Sequence, residues 1–327
     1  MWLPPLEPSL VNFGTIPHLV YLTHQMRECA LAYFIILPHM VYHIRWMREC
    51  GVNGGVGKVE RFLSSRPVFT RQQFRAIVGA GQATNTADTL LSHHVGTRRI
   101  VHAGPGVYAA VPLHLDPRSF VPDGLLVASM IRDDGVLAYH TALSLHGLAY
   151  SEGGEIVVLS SGKPWQLDTP AGSVRFVTQP ASLRRAELEN EGVETIDRRG
   201  LDVRVTGVAR TIVDCLERPD LAGGAEEIGH ALGSVEFVDV EAVLTTTFAR
   251  GNRTLAALVG WWLEKRREDF LVDDEVLDRL REMVPQAVRA VMGADPESGL
   301  QTGSWNLIVP PELAGPAFED VDPGMRP

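Results

Sequence analysis

The sequence predicts an α+β protein: an N-terminal winged helix-turn-helix followed by an α+β body with a mainly helical C-terminal part. Three observations carry this reading. Three short amphipathic segments and an apolar hairpin fill residues 58–112. Short β-type runs separated by turn residues occupy 155–205. Beyond residue 222 the apolar spacing is helical almost throughout. The 327 residues, 45% of them hydrophobic, suffice for roughly two or three domains with real cores.

Residues 58–65 (KVERFLSS) read as a first helix with Val59, Phe62 and Leu63 at helical spacing. Arg66-Pro67 stops it, because a residue before proline avoids the helical region. Thr70 and Gln73 have capping-box spacing and start a second helix over Arg71–Val78, with Phe74, Ile77 and Val78 inward. Gly79-Ala80-Gly81 is the turn. Asn85 caps a third helix running to about Val95, and Asp88 in its first turn suits the helix dipole. Ala87, Leu90, Leu91 and Val95 point inward, and Gly96 ends the helix. A hairpin follows, 98–102 and 107–111 around Gly104-Pro105-Gly106. A strand pair directly after a recognition helix is a wing.

Charge separates this module from the rest. The chain carries −10 overall, yet residues 58–112 hold Lys58, Arg61, Arg66, Arg71, Arg75, Arg98 and Arg99 against Glu60 and Asp88. A basic module on an acidic body suits phosphate contact, and a whole-chain average hides it. The expected ligand is therefore double-stranded DNA. On the second helix the candidate contacts are Arg71 and Gln72. On the third they are Thr84, Asn85, Thr86, Thr89, Ser92 and His93, mostly short polar groups able to approach base edges. Arg98, Arg99 and His102 are the hairpin candidates, the two arginines for the DNA backbone. His93 and His94 fit packing against the hairpin or exposure to solvent as readily as contact with DNA. A three-helix module with a hairpin that binds protein is the competing reading.

Residues 1–57 are an atypical extension, read either as disordered or as no part of the native chain, with translation starting at Val52 or Val56. The apolar run 30–44 is interrupted by Pro38, His39 and His43 and falls short of the ~20 apolar residues a membrane span needs. No membrane anchor and no signal peptide are expected. Cys29, Cys50 and Cys215 are few and scattered, which argues against a disulfide framework or a structural zinc and fits a cytoplasmic protein.

In the body (113–310), 116–120 is a linker and Asp123 starts a helix through Ile131. A second helix is predicted over 137–145, with Gly147 as its C-cap. Strands are expected at 155–160, 173–178, 193–196 and 201–205, then helices at 209–218, 240–249, 254–267, 275–283 and 286–292. The tail, 311–327, is rich in Pro, Gly and acid and is expected to be disordered. Enzyme signatures are missing: no P-loop, GxSxG or GxGxxG occurs, and no nuclease-type carboxylate pattern. His140 and His146, six apart, face opposite sides of a helix and cannot make an i, i+4 zinc pair. No metal, no cofactor and no catalytic residue is expected. Cys215 reads as core. Arg210 and Asp214, four apart, pair on their helix or cap a neighbour. One of Trp261 and Trp262 faces the core, and the other could mark a partner or dimer surface.

The segments FTRQQF, RRIVHAGPGVYAAVP, 138–148 (AYHTALSLHGL) and 208–216 (VARTIVDCL) resemble, in this order, the AbiEi-family antitoxins. The second pair resembles that family's "SHxSALxLHGL" and "xxRTLxDCL" segments, and the likeness covers roughly residues 57–310. The resemblance implies the antitoxin and repressor of a type IV toxin–antitoxin system. The winged helix would bind inverted repeats in its own promoter. The body would counteract a nucleotidyltransferase-like toxin without a stable complex, with Arg210 and Asp214 as candidates for that role. Binding as a homodimer and binding as two monomers both suit two half-sites. The alternative is a winged-helix regulator that senses a ligand or partner and has no toxin.

Overall fold

The structure, a computed structural model, describes residues 56–79 and 84–314. The predictions for the extension before residue 56, for Ala80 and Gly81, and for the tail beyond 314 lie outside the described residues. Residues Arg61–Pro327 form one unit. The protein is α+β with mixed sheets, as predicted.

The N-terminal module runs α1 (Val56–Ser65), β1 (Val68–Thr70), α2 (Arg71–Val78), α3 (Thr84–Gly96), β2 (Ile100–Gly104) and β3 (Val107–Ala110). The three strands form an antiparallel sheet in the order β1-β3-β2. The first of them, a three-residue strand, carries no period of its own and was not predicted. The capping box is present: Gln73 N–H donates to Thr70 Oγ1 at 3.2 Å, and Thr70 N–H donates to Gln73 Oε1 at 2.9 Å. One side of the sheet packs aromatic rings. Phe69 meets Phe62 edge-on at 5.1 Å and stacks on Phe74 at 5.8 Å and Tyr108 at 6.1 Å. Ile77, expected inside, is exposed.

The other side of the sheet is covered by α4 (Gly124–Ile131). Val68, Ala103, Val107 and Ala109 pack there with Leu126, Val127 and Ala128. Approach is close: a Cβ on Gly104 would lie 3.3 Å from Ile131 Cδ1. All four residues of β3 are buried.

Beneath α4 lies a six-stranded mixed sheet of β4 (Val136–Leu137), β5 (Ile156–Ser160), β6 (Trp165–Thr169), β7 (Gly172–Thr178), β8 (Val193–Arg198) and β9 (Leu201–Thr206). Its order is β6-β7-β5-β4-β9-β8, with β5/β7 and β4/β9 parallel. Val158, Phe176 and Val205 face α4, while Val157 and Leu159 face a helical layer. Burial on both faces is why 156–159 reads as an unbroken apolar run. The helical layer comprises α5 (His140–Leu145), α6 (Ala181–Arg185), α7 (Val208–Glu217), α8 (Ala225–Ser234), α9 (Val240–Arg250), α10 (Arg253–Lys265), α11 (Arg267–Phe270) and α12 (Asp274–Arg281). Trp262 faces its core, and Trp261 is only partly buried.

Three predicted helices change. The one at 137–145 starts only at His140, because Leu137 is taken into the sheet between Val158 and Val205. The one at 254–267 breaks at Arg266 into α10 and α11. The one at 286–292 is not a helix: Arg289–Ala290 forms β10, parallel to β12 (Leu307–Val309), which also pairs β11 (Leu300–Gln301). Pairing across the chain overrides a weak helical period in each of the two sheet cases. A 3-10 turn at Pro311–Ala314, with Leu313 buried, continues the packed structure into the start of the predicted tail.

Candidate nucleic-acid interface

Helix α3 presents two contrasting sides. Ala87 and Leu91 are buried, with Leu90 and Val95 half-buried beside them. Thr86, Thr89 and Ser92 are exposed and three residues apart, so they share one face. His93 is half-buried, 5.7 Å from His94, whose ring meets Phe74 at 6.5 Å. His94 is therefore a packing residue. The helix starts at Thr84, one residue before the predicted cap, and what was predicted for the side chains of Thr84 and Asn85 lies outside the described residues.

Asp88 does more than complement a dipole. Arg71 donates Nε and Nη2 to Asp88 Oδ1 and Oδ2 at 3.0 and 2.8 Å. Arg75 donates the same pair to the same oxygens at 2.9 and 2.5 Å. Four donors saturate the carboxylate, and these hydrogen bonds hold its pKa far below the ordinary 3.8. Arg71, predicted to contact DNA, thus ties α2 to α3. Its neighbour Gln72 is exposed.

Helix α3 ends in a Schellman arrangement. Arg99 N–H donates to His94 O at 2.9 Å and Arg98 N–H to Val95 O at 3.0 Å. The left-handed residue is Arg98, at φ 57°, and not Gly96. Arg98 is exposed. Arg99 differs: Nη1 donates to Val111 O, and Val111 N–H returns a bond to Arg99 O at 3.0 Å. Arg99 closes the sheet exit, so the two hairpin arginines have separate roles. His102 is exposed, with its ring 4.7 Å from that of Tyr108. The hairpin tip is short and docked: Arg71 N–H donates to Gly106 O at 2.8 Å.

In the body, Arg210 and Asp214 pair at 3.5 Å on α7, but both side chains have 0% exposure. Arg210 also donates to the carbonyls of Glu189 and Glu191 at 2.8 and 2.6 Å and to Gln179 Oε1 at 3.0 Å. Burial pushes its pKa down, and Asp214 opposes this. Arg250, which sequence reasoning passed over, donates to Asp214 Oδ1. An arginine closing α9 three residues after a run of threonines was the only local sign, and it does not mark a buried ion pair. Tyr139 stands beside this group at φ 56°; burial, then the Asp214 charge, push its hydroxyl pKa up. The cluster ties α7 to α9, to Gln179 and to the backbone at Glu189 and Glu191, and its side chains are buried.

The two histidines at the ends of α5 have structural partners. His146 Nε2 lies 2.7 Å from Thr206 O, and His140 Nε2 lies 3.1 Å from Ser151 Oγ and 3.4 Å from Glu227 Oε1. Burial pushes the Cys215 thiol well up, so it behaves as core. A polar cleft of about 390 Å³ between the module and the body is lined by residues including Arg66, Thr70, Gln73, Asp133, Asp202 and Arg204. Among the described residues, no helix is long and apolar enough to cross a membrane, and no group of His, Cys, Asp and Glu is placed to hold a metal ion.

No family model matches the chain, and no curated protein matches it. Among solved structures it is similar to the crystal structure of the RV2827C protein from Mycobacterium tuberculosis, at 15% identity over 78% of this chain and 91% of that one, with a TM-score of 0.49.

Proposed function

We propose that residues 58–112 are a winged helix-turn-helix that binds double-stranded DNA, with α3 as the recognition helix and β2–β3 as a short wing. The observation that carries this reading is the exposed Thr86–Thr89–Ser92 face, bounded by an exposed arginine at the helix end, in a basic segment of an acidic chain. Short hydroxyl side chains on an exposed helix face can reach base edges, and a cation beside them can reach phosphate. The element order of the module, a helix, a short strand, two helices and a hairpin, supports this reading.

The resemblance to AbiEi-family antitoxins extends the proposal. In this reading the protein represses its own operon through inverted repeats and counteracts a nucleotidyltransferase-like toxin, without enzymatic activity of its own. Because Arg210 and Asp214 are interior, the body acts in this reading through other, exposed residues. The test is fluorescence anisotropy of the full chain on the DNA upstream of its gene, across a salt series. Specific, salt-weakened binding is expected. Equal binding to a scrambled duplex would refute the repressor assignment. Co-expression with the product of the adjacent gene tests the antitoxin half: restored growth supports it, and unrelieved toxicity contradicts it.

One observation favours a second reading, a ligand-sensing regulator without a toxin. The polar cleft touches the Thr70–Gln73 capping box at the start of α2. A small molecule bound there would press on the helix that carries the clamp on α3. A gene neighbourhood lacking a nucleotidyltransferase, with DNA affinity that changes on adding a metabolite extract, would favour this reading.

A further inference from the structure

The module has seven cations, and they are not equivalent. Arg71 and Arg75, one helical turn apart on α2, both close on Asp88 of α3. Arg99 is bound to Val111 O. Arg61, Arg66 and Arg98 make no side-chain hydrogen bond or ion pair among the described residues. The clamp therefore does two things at once. It fixes the angle of α3 against α2 with four charge-assisted hydrogen bonds, and it cancels one positive charge beside the face that carries Thr86, Thr89 and Ser92.

We propose that Asp88 is a specificity-determining positioning residue, which holds α3 in its reading orientation and lowers the module's attraction for DNA of any sequence. This rests on the DNA-binding reading above. Non-specific affinity comes from phosphate neutralisation, so it follows the number of cations free to displace counterions. Sequence reading comes from the orientation of the helix. An acid that cancels a charge while bracing the recognition helix favours the second over the first. A purely structural Asp88 makes the opposite prediction, because loosening α3 weakens binding to every duplex.

The experiment uses the full chain and a random-sequence duplex, with anisotropy read across a sodium chloride series. Asp88→Asn removes the charge and keeps the shape. Its non-specific binding tightens, and the slope of log K against log salt steepens by about 0.9, the increment for one phosphate contact. The double variant Asp88→Asn with Arg75→Gln restores the wild-type net charge, and its slope returns to the wild-type value. Asp88→Glu keeps the charge and the wild-type slope. Thermal melting shows whether each variant folds. If Asp88→Asn does not melt cooperatively, Arg75→Gln alone serves: its slope becomes shallower by at most about 0.9 while a cooperative melt is kept. Weaker binding by Asp88→Asn at every salt concentration, or a double variant as impaired as the single, overturns the proposal. Absence of salt-dependent binding by the wild type is a distinct result that overturns the DNA-binding reading and this proposal together.

Discussion

Arg98 occupies a backbone position better suited to glycine. At φ 57° a side chain costs about 1–2 kcal/mol relative to right-handed backbone, and a glycine two residues earlier goes unused at this cap. Such a cost is tolerated where the side chain is useful. Arg98→Gly should therefore raise stability by about 1 kcal/mol in urea titration and weaken DNA binding. A variant that changes both in the same direction contradicts the role given to Arg98. Asp214 behaves differently, because its environment is dry. It faces Arg210 and Arg250, and all three side chains have 0% exposure. Asp214→Ala strands two buried guanidiniums and should cost about 3–5 kcal/mol, read as a lower urea midpoint. The sequence placed Arg210 and Asp214 one turn apart, which was right. It could not show that they are interior, because Arg250 reaches them from another helix, far along the chain.

Helix α4 is the element on which the architecture turns. Its sequence, GLLVASMI, is apolar all round, the pattern of a helix covered on every side. Leu126, Val127 and Ala128 are each 0% exposed, between the module's sheet and the six-stranded sheet. Leu126→Ala should cost about 2–5 kcal/mol. Circular dichroism and DNA binding should lose their signals at the same temperature, because one helix supports both parts. The elements legible in the sequence were those with local signals. The capping box announced α2, and Asp123, whose carboxylate accepts from Leu125 N and Leu126 N, announced α4. Val136–Leu137 and Arg289–Ala290 are strands of two residues each, and only their distant partners make them strands. No local period could report them. The hairpin was legible as a hairpin, but not as a docked one, because the cover on its second face comes from α4.

Across the whole molecule, charge and packing are arranged on different scales. The net positive charge is confined to residues 58–112, while the hydrophobic core of Arg61–Pro327 runs from the module's sheet through α4 into the body. Cutting at residue 112 would expose the apolar face of the module's sheet and the face of α4 that covers it, so the full chain is the right material for binding experiments. In the proposed function, the exposed face of α3 reads DNA sequence. The most direct measurement is anisotropy of Thr89→Ala/Ser92→Ala against the wild type, on the upstream duplex and on a scrambled one. The double variant should lose the preference for the upstream duplex while its salt-dependent binding to the scrambled duplex is unchanged. An undiminished preference for the upstream sequence would contradict it.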